Sequence, residues 1–452
     1  MIKTLSLFIL LINAAISQNL YFPPVSGGSW ETVSPSSMGW DTTKLPGLYD
    51  FLESKNSKAF IVLKDGRIVV EKYFDTFTAD SIWYWASAGK TLTAFLTGQA
   101  VQEGKLKLTD TTSSILGDGW TSLTQAQERK ITILNQLTMT TGLNDFVADP
   151  YCTLPECLIY KAEAGTRWAY HNAPYTLLDS VLMKRTGLPL NQYFQQKIRS
   201  RIGMNGLWVK QGYNNVYFSS PRSMARFGLL VLNKGIWNND TLLADTVYFR
   251  SMVNTSQSIN KSYGYLWWLN GKESYMLPQT QFVFPGSYAP DAPADMFSAL
   301  GKNGQILSIA PSSGLVVLRM GDVPDSSSEV PTTLCNSIWK ELNKVMNPAS
   351  AISDEVVLPQ SITLSNYPNP FNPSTNITFS LPSEGLVKLE VYNTAGEKLK
   401  EILNEEREAG THTFHFSGSD LATGVYLLRL TVYSREQGRM IFTGTVKSIL
   451  LK

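Results

Sequence analysis

Runs of apolar residues divide this chain before any single residue needs interpreting. Residues 59–74, AFIVLKDGRIVVEKYF, hold two β-rich runs joined at Asp65-Gly66, a pair whose tolerance of positive φ makes it a strong hairpin signal. TLTAFLTGQAVQEGKL follows, with the spacing of an amphipathic helix ending near Gly104. Between residues 112 and 283 helix patterns stand out at TILNQLTM, YTLLDSVLMKRTG and SMARFGLLVLNKG. β-rich text returns at YGYLWWL, MFSALGKNGQILSIAP and GLVVLRMGD, before the helical TTLCNSIWKELNKVM. This order predicts an α+β domain over residues 30–346, its antiparallel sheet built from both ends of the domain and flanked by helices, with a mostly helical subdomain inserted.

After NPASAISDEVVLPQS, which predicts a linker over 347–362, the pattern changes. Residues 363–452 hold short strand-like runs, NITFSLP, LVKLEVYN, THTFHFS and GVYLLRLTVYS, separated at regular intervals by Gly, Pro and Asn turns. That spacing predicts a small all-β, immunoglobulin-like sandwich.

Composition narrows the function classes. A chain of 452 residues with 43% hydrophobic and 17% charged positions suits two or three folded domains. Lys and Arg number 39 against 37 Asp and Glu, with no basic block, which argues against nucleic acid or an anionic membrane as partner. The first 17 residues, MIKTLSLFILLINAAIS, combine one Lys, a short apolar run and small residues at Ala15 and Ser17. They read as a signal peptide cut near Ser17/Gln18. The run is too short to span a bilayer, and no later stretch is long enough for a transmembrane segment.

Export permits disulfides. Cys152 and Cys157, in YCTLPEC, can close a small loop that Pro155 helps to turn, with a pair of free thiols as the alternative. Cys335 lies in a helical pattern and reads as a core thiol. No Cys/His grouping has metal-ligand spacing, and no metal or organic cofactor is expected.

The candidate chemistry centres on WYWASAGKTLTAF, residues 83–95. Of the three histidines only His171 lies in the larger domain, and G-x-S-x-G is absent, so an ordinary Ser-His-Asp hydrolase is disfavoured. Ser87 with Lys90 three positions on offers another route, a serine activated by a lysine that burial deprotonates. The spacing alone is weak, because Ser258/Lys261 and Ser337/Lys340 share it. Ser87 differs by standing at a helix start after an aromatic run that suits a pocket wall. The alternative role there is a helix cap. A second grouping, Tyr170 and Asn172 in GTRWAYHNAPYTLL, precedes another helix, while Tyr213-Asn-Asn215 repeats its spacing. His171, between them, points to the opposite side of an extended segment and reads as structural.

Taken together, AFIVLKDGRIVVEKYF, SAGK, EGKLKLTD, ITILNQLTMTTGL, AGTRWAYHNAPYTLL, SPRSMARFGLLVLNKG and GQILSIAPSSGLVVLRMGD resemble the penicillin-recognising serine hydrolases over residues 35–345. The similarity is to the branch of class C β-lactamases, D-alanyl-D-alanine peptidases, family VIII esterases and 6-aminohexanoate-dimer hydrolases. It implies a β-lactamase-like fold and acyl transfer to Ser87, with Lys90 and Tyr170 as acid-base partners and Asn172 orienting Lys90 or holding the substrate amide. The family's third motif falls either on Ala299-Leu300-Gly301 or on Lys302-Asn303-Gly304. The first is preferred for its spacing from the next strand. It assigns Gly301 and Lys302 to the substrate site, the Lys302 N–H joining that of Ser87 in an oxyanion hole, and removes the motif's cation that grips a substrate carboxylate. An ester or amide as small-molecule substrate is therefore expected, with weak β-lactamase activity. A secreted relative that only binds a surface partner is the competing reading.

NYPNPFNPSTNITFSLP, VYNTAGEKL and LATGVYLLRL resemble the C-terminal sorting domain of type IX secretion substrates. The resemblance implies the type IX secretion machinery as partner and a secreted or outer-surface location. A carbohydrate-binding module shares the generic strand pattern.

Overall fold

The computed structural model describes residues 20–324, 329–346, 361–435 and 438–451. The expected signal peptide, and residues 347–360 of the expected linker, lie outside them. The chain falls into two units, one ending at Pro348 and the next beginning at Ala349.

In the first unit the Asp65-Gly66 turn closes a hairpin of β1 (Ser57–Lys64) and β2 (Arg67–Tyr73), both turn residues having positive φ, 47° and 86°. Four further strands, β3 (Trp268–Leu269), β4 (Phe297–Gly301), β5 (Gln305–Ala310) and β6 (Leu315–Gly321), complete a six-stranded antiparallel sheet in the order β2-β1-β6-β5-β4-β3. The sheet thus joins segments from both ends of the unit, with β1 pairing directly to β6.

Helices cover both faces, which is why β5 and β6 are buried at every position. On one face the helix Pro221–Leu232 lies close because Gly228 has no side chain; a Cβ there would meet Val316 Cγ1 at 2.5 Å and Leu307 Cδ1 at 2.9 Å. Ser308, one residue on, points to the other face. There it meets Cys335 Sγ at 3.6 Å on the helix Thr332–Met346.

The helix Lys90–Gln102 differs from the amphipathic expectation: every residue from Lys90 to Ala100 is buried. Its polar side chains survive burial by bonding backbone carbonyls. Thr91 and Thr97 donate to Ala88 and Thr93 oxygens at 2.8 Å, and Gln99 to the Leu242 oxygen at 3.0 Å. The inserted region also holds a three-stranded sheet of Trp83–Tyr84, Asn214–Ser219 and Leu207–Gln211. Cys152 and Cys157 are disulfide-bonded, and Cys335 is a buried free thiol.

The second unit pairs a three-stranded antiparallel sheet (Thr363–Tyr367, Ser374–Leu381, Gly410–Ser417) with a four-stranded one (Gly385–Tyr392, Lys398–Arg407, Gly424–Ser434, Met440–Leu450). Ile377 and Phe379 from the first and Val387, Leu389, Leu428 and Leu430 from the second share one apolar core. The NYPNPFNP segment anchors the last strand: Asn369 accepts from the Ile449 N–H at 2.8 Å and donates to the Lys447 oxygen at 2.6 Å, while Phe371 fills the core.

Candidate active site

Ser87 sits in a single 3-10 turn, Ala86–Gly89, from which the helix Lys90–Gln102 continues. The chain enters that turn through Ala86 at φ 47°, a left-handed conformation that costs an L-residue free energy and has to be held by its surroundings. Trp85 supplies the hold. Its N–H donates to the Tyr217 oxygen and its indole to Ser219 Oγ, both at 2.8 Å. Ser87 does not stand at the cap position of that helix, which Gly89 occupies. Its Oγ instead accepts from Lys90 Nζ at 2.9 Å.

Lys90 is only 3% exposed. Its Nζ also donates to Asn172 Oδ1 at 2.7 Å, and it lies over the rings of Tyr175 and Tyr170 at 4.2 and 5.0 Å from their centroids. Burial drives the Lys90 ammonium down to about 7, against the opposing pull of Glu329 and Asp179. A neutral amine is therefore accessible near neutral pH. Tyr170 moves the opposite way: burial pushes its phenol well above the usual range, only partly offset by interaction with the Ser87 hydroxyl.

Asn172 and Tyr175 come from the first turn of the helix Asn172–Thr186, and Asp179 follows on the same face one turn later. Asp179 is buried and has no cation within ion-pair distance among the described residues; its carboxylate accepts from Asn215 Nδ2 at 2.9 Å and Thr93 Oγ1 at 3.5 Å. Burial raises its pKa to about 6, with Asn215 first among the groups resisting that rise.

The fourth wall is the end of β4. Gly301 packs directly on the nucleophile's turn: a Cβ there would lie 2.4 Å from the Trp85 oxygen, 2.9 Å from the Ala88 nitrogen and 3.1 Å from the Ser87 nitrogen. Ala299-Leu300-Gly301 is thus the strand segment beside Ser87, while Lys302-Asn303-Gly304 forms the turn that follows. Arg319 pins this turn from beneath, donating to the Asn303 and Gly304 oxygens at 2.8 and 2.9 Å and to Ser57 Oγ at 3.0 Å. The Lys302 side chain also borders the cleft, so placing the third motif on Ala299–Gly301 does not empty the site of cations. Its Nζ stands 3.8 Å from Glu329 Oε1.

These groups open onto one cleft of about 250 Å³. Ser87, Lys90, Asn172 and Lys302 line it, joined by Tyr151 and Glu329, which no motif in the chain singles out. Tyr170 lies behind Lys90 and Gly301 behind Ser87. Of the aromatic run, Tyr84 lines the cleft while Trp85 is buried. Asn214 and Asn215 line it too, so the second Tyr-x-Asn match marks a cleft wall. Ser337 lies within the helix Thr332–Met346, and Lys261 pairs with Glu273, so neither rival Ser/Lys spacing borders this cleft. His171 is buried, and neither ring nitrogen has a partner among the described residues.

Residues 40–329 match the family model described as Beta-lactamase, and residues 365–442 that of the secretion system C-terminal sorting domain. A β-lactamase of Escherichia coli K12 is 28% identical over 139 residues, 29% of this chain; the match spans only 36% of that protein's length. Among solved structures, one from Bacillus anthracis described as a 6-aminohexanoate-dimer hydrolase superposes with TM-score 0.56 at 18% identity, covering 74% of this chain and 90% of its own. One from Bacteroides dorei described as a β-lactamase gives 0.53 at 18%, covering 68% and 99%. At these identities the superpositions speak for the fold.

Proposed function

Since the chain belongs to the β-lactamase family of serine hydrolases and carries a type IX sorting domain, we propose that it is an exported esterase or amidase working through an acyl-Ser87 intermediate. The observation that carries this reading is the contact of Lys90 Nζ with Ser87 Oγ at 2.9 Å inside a buried, charge-depressing site. Neutral Lys90 takes the Ser87 proton as Oγ attacks the carbonyl carbon. The Ser87 and Lys302 N–H groups hold the resulting oxyanion, and removing one such donor costs about 3 kcal/mol in related chemistry. Tyr170, kept as a phenol by its surroundings, passes a proton to the leaving alcohol or amine and regains one through Lys90. Water then attacks the acyl-serine by the same relay, releasing the acid and restoring Ser87. Asn172 fixes the Lys90 amine through their 2.7 Å contact.

The sorting domain marks the chain for type IX export to the cell surface or beyond. Among the described residues no helix is long and apolar enough to cross a membrane. The substrate preference is tested by comparing a short-chain p-nitrophenyl ester, a linear amide and nitrocefin. Ester or amide turnover should exceed nitrocefin turnover by orders of magnitude; robust nitrocefin hydrolysis would make this a β-lactamase instead. A surface-binding protein without catalysis would turn over none of the three.

A further inference from the structure

We propose that Glu329 is a specificity-determining residue, one that makes the cleft reject acyl donors bearing a carboxylate and favour those bearing an ammonium group. This inference rests on the hydrolase reading above and concerns the same cleft.

Among the described residues, three that bear charge line the cleft: Lys90, Lys302 and Glu329. Lys90 is buried and engaged with Ser87 and Asn172, so it is committed to the nucleophile. The remaining two face each other at 3.8 Å with side chains 46% and 33% exposed. That separation exceeds a hydrogen bond, so the Glu329 carboxylate keeps acceptor capacity for a donor entering from solvent. An entering carboxylate meets the opposite situation. It must compete with Glu329 for Lys302 while lying beside a like charge, and like-charge juxtaposition in a partly desolvated cleft discriminates strongly.

The field of Glu329 also reaches inward. It opposes deprotonation of Lys90, Tyr170 and Tyr151, so the carboxylate is felt where the substrate carbonyl would sit. The other polar walls, among them Tyr84, Gln211, Asn214 and Asn215, are uncharged. They offer hydrogen bonds but no charge, which leaves Glu329, set against Lys302, as the group that turns an entering carboxylate away and gives an entering ammonium a partner.

The test uses the full chain and p-nitrophenyl esters of equal acyl length ending in ammonium, methyl or carboxylate. Wild type should prefer the ammonium ester to the carboxylate ester in kcat/KM, and the preference should shrink as salt rises. Glu329→Gln should reduce that ratio about tenfold, mainly through KM, and Glu329→Lys should invert it. In the Glu329→Gln background, Lys302→Ala should cancel the gain on the carboxylate ester. A wild-type preference for the carboxylate ester, or a ratio indifferent to Glu329→Gln, overturns the inference while leaving the hydrolase reading intact. Methyl-ester turnover that survives Ser87→Ala overturns both.

Discussion

Lys90 Nζ lies 2.9 Å from Ser87 Oγ and is held there by Asn172 at 2.7 Å, buried against the rings of Tyr170 and Tyr175. Two properties a base needs, reach and a depressed pKa, come from one arrangement. Burial supplies the second, and the turn of helix between residues 87 and 90 supplies the first.

The pH profile should report this directly. The base works as the neutral amine, so activity is lost as pH falls through the Lys90 value of about 7 and is retained above it. The measurement is kcat/KM of a neutral ester across pH 5–10. An acid limb near pH 7 is expected; a flat profile, or a limb near 10 as for an exposed lysine, contradicts the assignment.

Asp179 should tune that limb. Its carboxylate, carrying a raised pKa of about 6, is ionised above that pH and draws Lys90 upward. The charged and titratable groups acting on or lying against it are Lys90, Lys210 and Tyr175, with Asn215 and Thr93 as its hydrogen-bond donors. Asp179→Asn keeps an acceptor for Asn215 and removes the charge. The acid limb should move to lower pH by a fraction of a unit, an effect that loss of packing alone would not produce.

Much of this was legible in the chain, for identifiable reasons. The Asp65-Gly66 hairpin was visible because two residues suited to positive φ stand between β-rich runs. Ser87 and Tyr170 were visible through short motifs with ordered flanking text. Asp179 was less so, although its place two helical turns after Asn172, within an otherwise buried stripe, is a signal available in retrospect. Glu329 had none: it sits in irregular chain before the helix Thr332–Met346 and reaches Lys302 only through the fold. The helix Lys90–Gln102 misled periodicity because it is buried on every side, where its threonines find partners within the fold: Thr91 the Ala88 oxygen, Thr97 the Thr93 oxygen and Thr93 the Asp179 carboxylate.

Gly301 offers a steric test. Its φ of −129° is ordinary for any residue, so only space forbids a side chain there. The methyl of Gly301→Ala would clash with the Trp85 oxygen and crowd the Ser87 nitrogen, forcing β4 and the nucleophile's turn apart. A misplacement of about 1 Å can cost on the order of 10² in rate. kcat should fall by about that factor with the folded far-ultraviolet spectrum retained, and unchanged kcat would show that the strand does not set the nucleophile's position.

The most direct measurement is intact-protein mass after exposure to a fluorophosphonate probe, with the modified peptide sequenced. One phosphonyl group per chain on Ser87 is predicted, absent in Ser87→Ala and formed much more slowly in Lys90→Ala. No adduct on the wild-type chain, or an adduct on another serine that survives Ser87→Ala, would contradict the account.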